Sequence, residues 1–184
     1  MIRVPFLPGA RTRLGCRGLM GIWALSGSLA FLAGCTDATG PEPWERGDIL
    51  ERLNALPGVQ AVEIEAYYGY PRAFQLDITQ PLDHGNPMGT SFTQRAYLSH
   101  VADSTPMVFA PSGYGTTPQS GQELAGILQA NCLSVTHRFF PESRPEAMDW
   151  QYLDIRQSAE DHHLIVTTLK KIYEGKWIST GASK

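Results

Sequence analysis

Apolar and polar positions recur with two different periods along this chain, and the change of period divides it. Residues 45–56 carry a helical spacing that stops at Pro57-Gly58. Val62, Ile64 and Ala66 then alternate with Glu63 and Glu65, the two-residue period of a strand with one wet face. Gly69-Tyr70-Pro71 interrupts this pattern and Phe74-Gln75-Leu76-Asp77-Ile78 resumes it, which predicts a hairpin or meander. Residues 95–100 form another strand candidate. Met107-Val108-Phe109-Ala110 is a short continuous apolar run, the pattern of a central strand buried on both faces, and Pro111-Ser112-Gly113 turns the chain directly after it.

Helices and strands alternate from there on. Residues 122–129 place Leu124, Ile127 and Leu128 on one helical face, and residues 133–136 form a strand that runs into His137-Arg138-Phe139-Phe140. The longest helix is expected over 154–173. Asp154 with Gln157 three positions on makes a capping-box pattern. Lys170 and Lys171 complement the negative C-terminal end. Its apolar stripe reads Ile155, Ala159, Val166 and Leu169. Glu174-Gly175 ends it and Lys176 begins a last strand. Antiparallel strands first and strand–helix units afterwards predict an α/β fold whose sheet turns parallel in its second half.

The first 35 residues follow neither period. Arg3, Arg11, Arg13 and Arg17 form a basic start without an acidic residue, and an interrupted apolar stretch runs from Leu19 to Phe31. That stretch is short for a membrane span, which needs about 20 apolar residues. It fits the apolar region of an export signal. Leu32-Ala33-Gly34-Cys35 resembles a lipobox, at which a bacterial lipoprotein is cleaved and lipidated on Cys35. The expected layout is therefore a lipoprotein signal peptide over 1–35, a tether rich in Gly and Pro over 36–43, and one domain over 44–184. Its expected location is the bacterial cell envelope, with the membrane reached through the lipid on Cys35.

Removing the signal changes the charge. The whole chain has 15 basic and 18 acidic residues, and four of the basic ones precede Cys35, which leaves 11 against 18. A mature charge of −7 argues against a nucleic-acid partner, which calls for basic patches. Cys132 is the one cysteine remaining besides the lipid site, so it has no internal bridge to form, and its apolar setting predicts a buried, inert thiol.

The candidate chemistry lies at the end. Trp177-Ile178-Ser179-Thr180 is β-prone, and Gly181-Ala182-Ser183-Lys184 makes the first four positions of Gly-x-Ser-x-Gly. In α/β-hydrolases that motif is a strained strand-to-helix turn that exposes a nucleophilic serine, and the triad acid and base follow it in chain order. The expectation is the N-terminal part of an α/β-hydrolase sheet, cut at the nucleophile elbow, with acid and base beyond Lys184.

Six ordered blocks sharpen this reading. They are Gln80-Pro81-Leu82-Asp83-His84, Phe92-Thr93-Gln94-Arg95, Gly113-Tyr114-Gly115, His137-Arg138-Phe139-Phe140 with Ser143-Arg144-Pro145, Asp149-Trp150-Gln151-Tyr152-Leu153, and residues 177–184. Together they resemble the secreted tripeptidyl aminopeptidase family of serine peptidases, related to the prolyl carboxypeptidase type. The resemblance implies a peptide or protein substrate and no cofactor. It makes Ser183 the nucleophile and the Lys184 N–H one oxyanion donor, with a second donor from Gly113 or Tyr114 in the loop after the 107–110 strand. In the family an acidic residue often precedes the Gly-Tyr pair of that loop. Ser112 stands there, so the loop lacks a charge for a substrate's α-amine.

The remaining polar residues read as structural. His162-His163 cannot share a metal, because adjacent helical side chains diverge and ligands need i, i+3 or i+4 spacing. His162 falls on the helix stripe and is expected to pack in the core, and no metal site is expected. Asp83-His84 reads as a turn with structural hydrogen bonds, His137-Arg138 and Arg144 as a buried ion pair holding a loop, and Tyr67, Tyr68 and Tyr70 as hairpin packing. Two functional classes remain: a membrane-anchored serine aminopeptidase, or a non-catalytic lipoprotein or binding module on the same scaffold.

Overall fold

The computed structural model describes residues 40–146 and 148–181. Three antiparallel strands open the sheet: β1 (Val59–Ile64), β2 (Arg72–Pro81) and β3 (Ser91–His100), with Val59 opposite Ile78 and Arg72 opposite His100. Three strands then run parallel to one another: β4 (Met107–Pro111), β5 (Asn131–Val135) and β6 (Trp177–Ser179). The order across the sheet is β1-β2-β3-β5-β4-β6, so β4 lies between β5 and β6, and β5 joins the antiparallel half through β3. The α/β expectation holds, with a mixed six-stranded sheet.

Helices cover both faces. β4 sends Met107 and Phe109 into the larger core with Leu133, Val135, Ile165 and Leu169. Ile165 and Leu169 belong to α3 (Ile155–Leu169), and α1 (Ile49–Asn54) adds Ile49 and Leu53 to the same core. Val108 points the other way and meets Ala125, Ala130 and Cys132 beneath α2 (Glu123–Leu128). Each fully buried Leu or Phe in these clusters stabilises the fold by roughly 1.5–3 kcal/mol relative to exposure. At Gly175 a Cβ would stand 2.5 Å from the Thr105 carbonyl oxygen, so glycine lets the chain enter β6 close beside the start of β4.

Four details differ from the sequence reading. The first helix is shorter, because a 3-10 turn at Pro43–Glu45 precedes it and its true N-cap is Asp48, which accepts from Leu50 N. β1 is phased one residue differently: Val59 and Ala61 face inward and Val62 is 60% exposed. The Asn54 side chain imposes this, since its amide brackets Ala61 (Nδ2 to Ala61 O at 3.0 Å, Ala61 N to Oδ1 at 2.9 Å) and locks that residue against α1. α2 turns Ala125 to the sheet and leaves Ile127 71% exposed, because a six-residue helix lying this close accommodates a methyl group and not a branched side chain. In α3 the cap works as read, with Asp154 accepting from Gln157 N at 2.8 Å. Its inward face is Gln157, Ser158, Asp161, Ile165 and Leu169, while Ile155 and Ala159 are exposed. The first half of that face is polar for a reason found in the site.

Candidate active site

The connection from β4 passes through α2 to β5 on one side. The connection from β5 passes through α3 to β6 on the other side of β4, over the opposite face. Connections diverging in this way open a crevice at the C-terminal ends of parallel strands, where ligands bind in open α/β sheets. Three chain segments meet there.

The first is the turn at 112–115. Ser112 N donates to Val135 O at 2.9 Å, which ties the turn to the end of β5. Its hydroxyl accepts from Tyr114 N at 3.1 Å and donates to Gly115 O at 3.2 Å. His137 N donates to Tyr114 O at 3.0 Å, and the Thr116 and Thr136 hydroxyls lie 2.9 Å apart. Of the two candidate donors, Tyr114 therefore spends its N–H inside the turn. The Gly113 N–H makes no hydrogen bond among the described residues.

The second segment leaves β6. Thr180 N donates to Phe109 O at 2.9 Å, which extends the pairing with β4, and a Cβ on Gly181 would lie 3.8 Å from Pro111 O. The chain thus passes the last residue of β4 as it nears the turn. Ser183 and Lys184 lie outside the described residues, as does Cys35.

The third segment leaves β5 and is held by a buried polar network. The fully buried Arg138 donates from Nε to Asp161 Oδ2 at 2.7 Å and from Nη2 to Oδ1 at 2.8 Å. It also donates to Tyr152 O at 2.6 Å, Leu82 O at 3.1 Å and Pro81 O at 3.3 Å, and its cation lies 5.2 Å from the Phe92 ring centre. A buried guanidinium needs this degree of compensation, since an unpaired charge inside a protein is prohibitively costly. His84 Nε2 reaches Asp161 Oδ1 at 2.7 Å, and Gln157 binds both the His84 N–H and the Asp83 carboxylate. Gln80 donates to Asp161 O and to Gln94, which passes the chain on to Thr136 O. Hydrogen bonds from Gly85 N and Gln157 hold the Asp83 carboxyl below its ordinary pKa. The readings of Asp83-His84 as a bonded turn and of Arg138 as half of a buried pair are met. Arg144 is exposed and lies outside the pair.

The other candidates separate clearly. His137 is buried with both ring nitrogens engaged, Nδ1 at 2.9 Å from Arg138 O and Nε2 at 3.1 Å from Ser158 Oγ. Phe140 packs edge-on against both His137 and Tyr114, so the β5 loop braces the turn. His162 is half-buried, edge-on to Phe109 at 5.4 Å. Burial raises the Cys132 thiol pKa, in keeping with an inert core position. Tyr68 and Tyr70 do not pack within a hairpin: they donate to Gln119 O and Ala130 O and line a cavity of about 820 Å³ beside α2. Among the described residues no group of three or more His, Cys, Asp or Glu is placed to hold a metal.

Sequence reasoning missed Asp161 and Glu142. Asp161 could have been found from its spacing, four residues after Gln157 and four before Ile165 on one helical row, given that a buried Arg138 demands a carboxylate. Glu142 has no such signal. It sits in the 3-10 turn Pro141–Ser143, and its Oε2 would lie 3.4 Å from a Cβ on Gly115.

Residues 42–184 match the family described as PS-10 peptidase S37. The chain is also similar to a prolyl tri/tetrapeptidyl aminopeptidase from Streptomyces mobaraensis, 37% identical over 176 residues. That alignment covers 94% of this chain and 36% of the relative, so the chain spans about a third of the relative's length.

Proposed function

This chain belongs to the PS-10 peptidase S37 family, and from that premise we propose that it carries the nucleophile and part of the oxyanion hole of a serine aminopeptidase, one that releases tripeptides from substrate N-termini. The reading assigns the domain to the α/β-hydrolase type. Support comes from the antiparallel strands that precede the parallel β5-β4-β6 set, with one covering helix on each face.

The reaction follows from the roles of the groups. A histidine base takes the Ser183 proton as Oγ attacks the scissile carbonyl carbon, and the tetrahedral oxyanion collapses to an acyl-enzyme as the leaving amine is protonated. The Lys184 N–H and the Gly113 N–H are assigned to that oxyanion. Each preorganised donor of this kind is worth about 3–4 kcal/mol in the transition state. The base and its orienting acid are assigned to sequence after residue 184, in line with the triad order of the fold and with the share of the relative that the chain spans. Export and lipidation of Cys35 complete the proposal and place hydrolysis in the cell envelope.

The observation that carries this reading is the convergence of the 112–115 turn and Gly181 on the end of β4. The test uses the product of the complete open reading frame with a tripeptide-linked amide reporter and a fluorophosphonate probe. Turnover and labelling are expected in the parent protein and absent from Ser183→Ala. Undiminished turnover in that variant would assign the nucleophile elsewhere.

A further inference from the structure

An aminopeptidase substrate differs from an internal stretch of polypeptide in one group, the free α-ammonium, and a site that selects it needs a negative charge within reach. Resting on the function proposed above, we propose that Glu142 provides this charge and so determines specificity for a free N-terminus. Its position supports the assignment. The carboxylate reaches over Gly115, with Oε2 3.4 Å from where a Cβ there would stand, on the turn that also presents the Gly113 N–H.

The backbone beneath it is fixed although the side chain is exposed. Ser143 N donates to Phe140 O at 2.8 Å, Phe139 N donates to Ser143 O at 2.9 Å, and Arg95 N donates to the buried Ser143 hydroxyl at 2.9 Å. Glu142 therefore stands on a braced platform and forms no salt bridge among the described residues. Three other acids of this stretch are already engaged. Asp161 is buried against Arg138 and His84, Asp154 caps α3, and Asp149 accepts from Gln151. The Ser112 hydroxyl is spent within its own turn and carries no charge.

The spacing suits a short peptide. Consecutive Cα atoms are about 3.8 Å apart, so the Glu142 carboxylate lies at most about 12 Å from Gly113, a span that holds on the order of three extended residues. A glutamate within this limit can reach the free N-terminus of a segment of up to about three residues that ends at the oxyanion hole.

The test compares tripeptide amide reporters with free and with acetylated N-termini on the product of the complete open reading frame. Glu142→Gln should lower kcat/KM for the free peptide by about 10- to 100-fold, mainly through KM, and leave the acetylated peptide unaffected. Glu142→Asp should keep part of the preference, and Glu146→Gln should keep all of it. Loss on both peptides alike, or an undiminished preference in Glu142→Gln, overturns the assignment. Calorimetric binding of the same peptides to Ser183→Ala and to Ser183→Ala/Glu142→Gln gives a second readout. If the parent protein hydrolyses neither peptide, the peptidase reading fails, and binding alone decides Glu142: a free-amine preference that vanishes with Glu142→Gln supports the assignment, and its absence ends it.

Discussion

The guanidinium of Arg138 and the carboxylate of Asp161 form a two-pronged pair, 2.7 and 2.8 Å, with both side chains wholly withdrawn from water. The pair ties the exit of β5 to the inward face of α3, and through the Pro81, Leu82 and Tyr152 carbonyls to the end of β2 and the 3-10 turn Trp150–Tyr152. Its main worth lies in fixing the loop that braces the 112–115 turn. A buried ion pair is a weak source of net stability, but breaking one partner is costly.

Asp161→Ala should therefore destabilise the protein by about 3–5 kcal/mol, because it leaves Arg138 charged and buried. The double variant Arg138→Met/Asp161→Leu should regain a substantial part of that loss, although the carbonyls that Arg138 served stay without their donor. Urea unfolding of the parent and both variants is the measurement. A single-variant loss below about 1 kcal/mol would mean that water reaches the pair and that the burial argument fails.

Gly113 and Ser112 make separable contributions to the proposed oxyanion hole. Gly113→Pro removes the assigned N–H and should reduce kcat about 10²- to 10³-fold with little change in KM. Ser112→Ala releases the Tyr114 N–H and loosens the turn, so its smaller loss in kcat should come with a lower thermal midpoint. If Gly113→Pro folds normally and keeps full kcat, the second donor is a different group.

The lipobox reading makes its own prediction. A Cys35→Ala variant should remain as a precursor that takes up no fatty acid in metabolic labelling. Labelling equal to that of the parent would remove Cys35 as the lipid site.

The parts of the fold that were legible in the sequence are those in which local chemistry and tertiary demand agree. The apolar run at Met107-Val108-Phe109-Ala110 announced a buried central strand, and the Asp154 cap announced α3. The phase of β1 was not legible, because a side-chain amide seven residues upstream sets it, through Asn54 on Ala61. The polar face of α3 was hidden for a similar reason: Asp161 is inward only because Arg138, 23 residues earlier, is buried opposite it. Hydrophobic periodicity cannot see a partner of that kind. For the site, the loop carrying Gly113 and Tyr114 was legible from its turn residues, whereas the approach of Glu142 to Gly115 depends on how two loops fold together.

The last prediction concerns acid. His100 is buried, packs edge-on against Phe74 and Tyr173, and holds its Nδ1 3.0 Å from the Tyr173 hydroxyl. Burial lowers its pKa below the ordinary 6.5; the Arg72 and Arg52 charges add to this, and Asp103 and Asp48 oppose it. Burial also raises the Tyr173 pKa, so the phenol keeps its proton and can donate to a neutral ring but not to an imidazolium. The unfolded state then binds more protons than the folded one between the depressed value and 6.5, and stability rises with pH across that window. The contribution is complete above 6.5 and is lost as pH falls toward the folded value. The carboxylates that Arg72 holds low, Asp48 at about 2 and Glu63 below its usual 4.5, keep their charge through this window and lose it only in stronger acid. The urea midpoint of the parent should therefore drop between about pH 7.5 and about pH 5, while His100→Gln, weaker at the higher pH, should change less. Equal drops in the two proteins would show that His100 does not carry the acid sensitivity.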